Sequence, residues 1–183
     1  VIDVDALGHA ALASAEVTRD VVREFGRATL SGESGTLDRR ALAKIAFGDD
    51  ASRRRLEAIV HPVVRVRIDE EIRRARADGA PLVVVDCALL FESGLDAVCD
   101  ATVDVDAPEP LRLARAAAAH GWDAAETRRR AAAQLSAQDK RARADRVFVN
   151  DGDEARLSDE ARAIFETVRR GAPAGVGRRR TSS

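Results

Sequence analysis

The sequence has no tyrosine and no methionine, a single tryptophan, and only 3% aromatic residues among 183. Its core cannot be built around rings, so Val, Leu, Ile and Ala must fill it. Lysine is nearly absent as well: Lys44 and Lys140 are the only two, and the rest of the 30 basic residues are arginines. Ala43 and Asp139 precede these lysines. Neither lysine therefore belongs to a G-x-x-x-x-G-K-[ST] loop, and that phosphate-cradling motif does not occur. Cysteine is limited to Cys87 and Cys99. With no Cys/His ligand spacing around them, they read as buried free thiols of a reducing compartment rather than metal ligands. No apolar run approaches the roughly 18–20 residues of a membrane span. No signal-peptide pattern is visible, so a cytoplasmic location is expected. The net charge of −1 provides no global field to gather nucleic acid. Neither nucleic acid nor membrane is an expected partner, and the expected state is a monomer or a weak homo-oligomer.

What is present is a 45% hydrophobic chain with a 33% charged fraction of mixed sign, suited to long solvated helices. Four runs have strand character: Val1–Asp5, Leu82–Cys87, Ala101–Val105 and Arg146–Val149. Val83-Val84-Val85 is a continuous apolar stretch suited to a strand covered on both faces. Helical patterns separate the runs and no hairpin turn signal is read between them. The expected fold is α/β with a parallel sheet.

The segment 6–80 is too long for a simple crossover. It divides into a helix from Ala6 to Phe25 with a break near Ser14, and a helix after the N-cap Asp38. A third helix spans Ala51–Val60 and a fourth begins at Pro62, where its missing N–H would be unpaired anyway. Three more helices are expected within 110–143, at Pro110–His120, Ala124–Leu135 and Ala137–Ala144. This stretch is rich in Ala and Arg, a composition shared by mobile lids and by solvated surface hairpins. A final helix is expected over Glu154–Arg170, followed by a disordered tail at 171–183.

Several residues stand where chemistry is expected. Alternation places Asp3 and Asp5 on one side of the first strand, with Asp5 at its carboxyl edge, where ligands of parallel sheets bind. Asp5 stays open between two roles. One is a carboxylate that takes a proton from a hydroxyl nucleophile or helps hold Mg²⁺; the other is a helix N-cap. The D-x-D pair also suits haloacid-dehalogenase-like phosphatases. However, Ala6-Leu7-Gly8 lacks their small polar turn, and the positions of Lys44 and Lys140 do not fit them. His61 is read at a helix junction, as a phosphate contact or a turn-fixing residue. Leu89-Leu90-Phe91-Glu92 follows the strongest strand and forms either a ligand wall or core. Asn150-Asp151-Gly152 follows the last strand, as a turn or as a reader of an adenine edge.

Taken in order, several segments carry a resemblance. They are Val1-Ile2-Asp3-Val4-Asp5, Phe25-Gly26, Leu37-Asp38-Arg39-Arg40-x-Leu42 with Phe47, and Leu56-Glu57-x-Ile59-Val60-His61-Pro62. Val85-Asp86-x-x-Leu89-Leu90-Phe91-Glu92 follows, then Arg115, Gln134, Lys140 and Ala144-Asp145-Arg146-Val147-x-x-Asn150-x-Gly152. The series resembles the dephospho-coenzyme A kinases over Val1 to about Gly152. The resemblance implies a P-loop kinase fold forming one domain over 1–170. Its core would be 1–5, 82–108 and 144–170, its coenzyme-binding helical excursion 6–80 and its lid 110–143. It implies ATP and Mg²⁺ as cofactors, and phosphorylation of the ribose 3′-hydroxyl of dephospho-CoA to give CoA. By position, Asp5 would be the catalytic carboxylate and an indirect Mg²⁺ contact. Arg39, His61, Leu89, Leu90 and Glu92 would bind the substrate. Arg115 and Lys140 would be lid cations near the ATP phosphates, and Asn150 would lie near adenine.

The chain departs from the family pattern at three places. Ala88 stands where proline is usual, and His120-Gly121 where an Arg-Asp-like pair is usual. The first central strand and its phosphate loop do not occur among these residues. Two expectations follow. In one, the chain is an incomplete copy of an active kinase and is itself inactive. In the other, it is a P-loop-less, non-catalytic relative that binds CoA-like ligands or a partner.

Overall fold

Acidic and hydroxyl side chains start nearly every helix of this protein, and their positions decide where strands give way to helices. The structure, a computed structural model, describes residues 1–32 and 35–170; the tail expected to be disordered, 171–183, lies outside the described residues. Two compact units are present, Val1–Ala88 and Leu89–Ser183.

In the first unit, strand β1 covers only Ile2–Asp3 and helix α1 follows at once over Val4–Leu12. The expected strand Val1–Asp5 is thus corrected. The Asp3 carboxylate accepts the Ala6 N–H at 2.9 Å, which caps the helix and ends the strand two residues early. Asp5 lies in the first turn of α1, where a negative charge favours the positive end of the helix dipole. It is neither a strand residue nor the cap. Ser14 makes the expected break. Its hydroxyl donates to the Ala11 carbonyl at 2.7 Å and accepts the Val17 N–H at 3.3 Å, opening α2 at Ala15–Phe25. Val17 and Val21, one turn apart, are fully buried.

An antiparallel pair follows, β2 at Leu30–Ser31 and β3 at Thr36–Leu37. The reading that no hairpin occurs is therefore corrected. Gly32 and Gly35 both adopt left-handed φ, of 47° and 67°, which glycine reaches without a Cβ clash. Asp38 caps α3, Arg39–Gly48, by accepting the Arg40 N–H at 2.7 Å. Asp49 caps α4, Asp50–Ala77, by accepting the Ser52 N–H at 2.8 Å.

The expected break at His61-Pro62 is also corrected, because α4 runs straight through Pro62. An interior proline removes one backbone bond and crowds the preceding turn, at a cost of about 3 kcal/mol. Val64 and Ile68 lie just beyond it and are buried, and α4 packs on α1, α2 and α3. Burying two such side chains gives about 1.5–3 kcal/mol each, enough to carry the helix across the proline. Strand β4, Val85–Asp86, closes the unit parallel to β1, with Ile2 opposite Val85 and Asp3 opposite Asp86.

In the second unit, a run of turns leads from Leu89 into a 3-10 turn at Leu95–Val98, with Phe91 and Leu95 buried. Strand β5, Val103–Asp106, pairs in parallel with β6, Arg146–Val149, over the register Val103↔Arg146 to Asp106↔Val149. Between them lie α5 (Glu109–His120), α6 (Ala124–Ala132) and α7 (Ala137–Arg143); α8 (Glu154–Arg169) follows β6. These helices agree with expectation to within a few residues. None of α5, α6 or α7 contains a buried residue. Surface ion pairs link α5 to α6 and lie within α6. Arg128 of α6 reaches Glu109 of α5 at 2.7 Å, while Arg129 and Arg130 both bind Glu126. Those arginines hold the Glu109 and Glu126 carboxyls below the usual glutamate range.

Candidate active site

Three of the four described parallel strands end in aspartate: Asp3, Asp86 and Asp106. In parallel sheets the carboxyl ends of strands are where ligands bind.

In the first unit, the β1 end hands directly to α1, which sets Asp5 on an exposed first turn. Arg39 is the first residue of α3, and His61 lies in the middle of α4; both are exposed. The side chains of Asp5, Arg39 and His61 form no hydrogen bond or ion pair among the described residues. They are solvated groups carried on α1, α3 and α4, of which α1 and α3 each pack on α4. A cleft of about 340 Å³ lies between the α1–α2 turn and the β2–β3 hairpin, lined by Leu12, Thr18, Arg19, Thr36 and Leu37 among others. None of the expected site residues lines it.

The second unit pairs residues expected at the site, Arg115 with Asn150 and Lys140 with Glu92. Asn150, just past β6, donates its backbone N–H to the Asp106 carbonyl at 2.7 Å, joining the two strand ends. Arg115 of α5 grips Asn150 with two nitrogens. One reaches the backbone carbonyl at 3.3 Å and the other the side-chain oxygen at 3.0 Å. The expected lid cation and the expected adenine-side residue are thus partners. Lys140 of α7 donates to Gln134 Oε1 at 2.8 Å and lies 3.6 Å from Glu92 Oε1. Glu92 Oε1 also accepts the Leu135 N–H at 2.8 Å. Of the leucines read as a ligand wall, Leu89 is 42% exposed and Leu90 half-buried.

Sequence reasoning missed Asp106 and Arg141. The buried Asp106 carboxylate pairs with the Arg141 guanidinium of α7 and accepts the Ala107 N–H at 2.7 Å. Two residues upstream, burial pushes the Asp104 carboxyl up, and the neighbouring Asp106 adds to the shift; Lys140 and Arg141 oppose it. The signal was available, since Val105-Asp106 ends its strand as Val85-Asp86 does, but ending that strand at Val105 left Asp106 outside it. The lone Trp122 was unread too. Its ring stacks on His120 at 4.4 Å and lies 4.1 Å under the Arg130 guanidinium, fixing the α5–α6 turn.

The dephospho-CoA kinase family model matches residues 1–156. The chain belongs to the dephospho-CoA kinase family. The dephospho-CoA kinase of Anaeromyxobacter dehalogenans is 41% identical over 172 residues, covering 93% of this chain and 81% of that protein. That of Symbiobacterium thermophilum is 41% identical over 178 residues, covering 97% and 72%. Among solved structures, the crystal structure of TT1252 from Thermus thermophilus superposes with a TM-score of 0.77 at 35% identity, covering 91% of this chain and 83% of that one. Dephospho-CoA kinase from Campylobacter jejuni shares the fold, with a TM-score of 0.64 at 21% identity over 93% of this chain and 85% of that one. The α/β class with parallel pairing thus agrees with the kinase family. Among the described residues no helix is long and apolar enough to cross a membrane.

Proposed function

We propose that these residues carry the acceptor, lid and adenine-side parts of a dephospho-CoA kinase, transferring the γ-phosphoryl group of ATP to the ribose 3′-hydroxyl. The observation that supports this most is the Arg115–Asn150 pair at the joined carboxyl ends of β5 and β6. The resemblance assigns Arg115 to the lid and Asn150 to the adenine side, and their pairing supports reading the two together.

Phosphoryl transfer depends on positioning and on neutralising charge spread over the transferred group. Asp5 is exposed and unpaired among the described residues, so its carboxylate is available to take the 3′-hydroxyl proton as the oxygen attacks. Arg115 and Lys140 are the cations assigned to the phosphates, and Asn150 is assigned to the adenine side. Arg39 and His61 are assigned to the coenzyme, with Leu89 and Leu90 as an apolar wall. Mg²⁺ uses one or two protein carboxylates beside substrate phosphates and keeps several waters. A single solvated carboxylate such as Asp5 fits that requirement, holding the ion through water. When bound, the ion supplies charge neutralisation at the phosphates. The core, coenzyme-binding excursion and lid are assigned to 1–5, 82–108 and 144–170, to 6–80, and to 110–143.

The 183 residues hold no G-x-x-x-x-G-K-[ST] run, and the backbone cradle and lysine of that loop dominate β/γ-phosphate binding. By themselves they are expected to give no turnover. An N-terminally extended form carrying such a loop is expected to turn over. The test incubates each form with ATP, Mg²⁺ and dephospho-CoA and measures CoA. Product from the 183 residues above a no-protein control contradicts the first expectation. Absence of product from a folded extended form favours a non-catalytic binding relative.

A further inference from the structure

We propose that Glu92 is a positioning residue for the lid lysine Lys140, acting through that lysine rather than on the acceptor substrate. The functional half of this proposal rests on reading Lys140 as a phosphate-facing cation; the structural half does not.

One carboxylate oxygen does two jobs. Glu92 Oε1 accepts the Leu135 N–H at 2.8 Å, and it stands 3.6 Å from Lys140 Nζ. Leu135 lies in the connection between α6 and α7, immediately before Ser136, the N-cap of α7. Glu92 therefore holds the turn from which α7 departs, and also the ammonium that α7 carries one turn later. Gln134, the residue before Leu135, completes the arrangement by accepting from Lys140 Nζ at 2.8 Å. The side chains of Lys140 and Glu92 are only 17% and 21% exposed. A lysine stem free in water would lose about 2 kcal/mol of rotamer entropy on being fixed. Here two acceptors hold it before any ligand arrives, which is the physical content of pre-organisation.

The alternative, a direct contact of Glu92 with a hydroxyl or N–H of the acceptor, would have to compete with the Leu135 N–H and Lys140 for the same carboxylate oxygen. An ionised carboxylate only accepts hydrogen bonds. A dephospho-CoA molecule carries an anionic pyrophosphate, which an uncompensated glutamate would repel. Beside Lys140 its charge is compensated, and the Leu135 N–H occupies the same oxygen.

The composition provides an internal control, because Lys44 and Lys140 are the only lysines. The first experiment acylates the 183-residue chain with an amine-reactive ester and reads the Lys140:Lys44 ratio by mass spectrometry, with amide hydrogen exchange at Leu135 alongside. Glu92→Gln keeps an acceptor oxygen for Leu135 but removes the charge. It is expected to raise the Lys140:Lys44 ratio up to about fivefold while leaving Leu135 protected. Glu92→Ala is expected to raise the ratio and also to release Leu135. An unchanged ratio in both variants overturns the proposal. The second experiment measures kinetics in the extended, turnover-competent form. Glu92→Gln is expected to raise KM for ATP or lower kcat, with KM for dephospho-CoA unmoved. A rise confined to KM for dephospho-CoA overturns the proposal and returns Glu92 to the substrate groove. If Lys140→Ala leaves ATP kinetics intact while the acylation result stands, the lid reading itself fails, and the functional half of the proposal with it.

Discussion

The Asp145 carboxylate accepts both the backbone N–H and the hydroxyl of Thr102, each at 2.8 Å, across 43 residues of chain. Thr102 is 2% exposed, and its hydroxyl in turn accepts the Asp145 N–H at 3.1 Å. This clasp sits at the entry to β5 and β6, next to their first register pair, Val103 and Arg146.

Asp145→Ala is expected to cost about 2–3 kcal/mol, because hydrogen bonds to a charged acceptor are lost and the Thr102 hydroxyl proton is left without its acceptor. Urea unfolding followed by amide exchange in β5 and β6 checks it. The loss should be local to this unit. Loss of less than about half a kcal/mol would show that the clasp contributes little.

Asp104 imposes a pH-dependent cost. Its folded pKa is raised above the ordinary 3.8 by burial, then by Asp106. The folded state therefore binds the proton more tightly than the unfolded state. Stability contributed by the protonated group is fully present below the ordinary value and is lost as pH rises through the folded one. Asp104→Asn stays neutral, so it should raise the melting temperature at neutral pH. The gain should shrink as pH falls toward 3.8. Melting curves at a series of pH values check it, and a gain independent of pH would contradict the assignment.

Pro62 is carried inside α4 at a cost. Pro62→Ala restores a backbone N–H and should stabilise the protein by about 1–2 kcal/mol, less than the full helix-interior penalty because alanine also frees the unfolded chain. If the variant is more stable yet binds dephospho-CoA more weakly, the His61-Pro62 geometry serves the ligand. Thermal melting and calorimetric titration of the ligand separate the two.

Asp3 and Asp5 should divide stability from chemistry. Asp3→Ala removes the α1 cap and should cost about 1 kcal/mol. Asp5→Asn should leave stability within about half a kcal/mol, since Asp5 is exposed and unpaired among the described residues. In the turnover-competent form Asp5→Asn should lower kcat about 10²-fold or more while ATP still binds. Unchanged kcat would remove Asp5 from the reaction.

Local chemistry made much of the fold legible. Asp38 announced a helix start because its side chain satisfies a backbone N–H group, the break near Ser14 was legible, and three helices were expected within the Ala- and Arg-rich stretch 110–143. What failed was decided by competition. Val1–Asp5 alternates like a strand, but Asp3 caps a helix as readily as it ends a strand, and the helix won at Val4. Pro62 reads as a first-turn residue until the burial of Val64 and Ile68 overrides it. The Gly32–Gly35 connection was passed over because each flanking strand has only two residues. At the site, the resemblance brought forward Arg115, Lys140, Asn150 and Glu92 singly. That Arg115 holds Asn150, and Glu92 faces Lys140, depends on contacts 35 to 48 residues apart, which no local pattern encodes.

The most direct measurement is the identity of the product. The extended form and its Asp5→Asn variant are incubated with ATP, Mg²⁺ and dephospho-CoA, and the product is mapped by mass spectrometry and NMR. The account predicts CoA, phosphorylated at the ribose 3′-oxygen, with formation sharply reduced in the variant. Phosphate on another acceptor atom, or equal CoA formation by the variant, would contradict it.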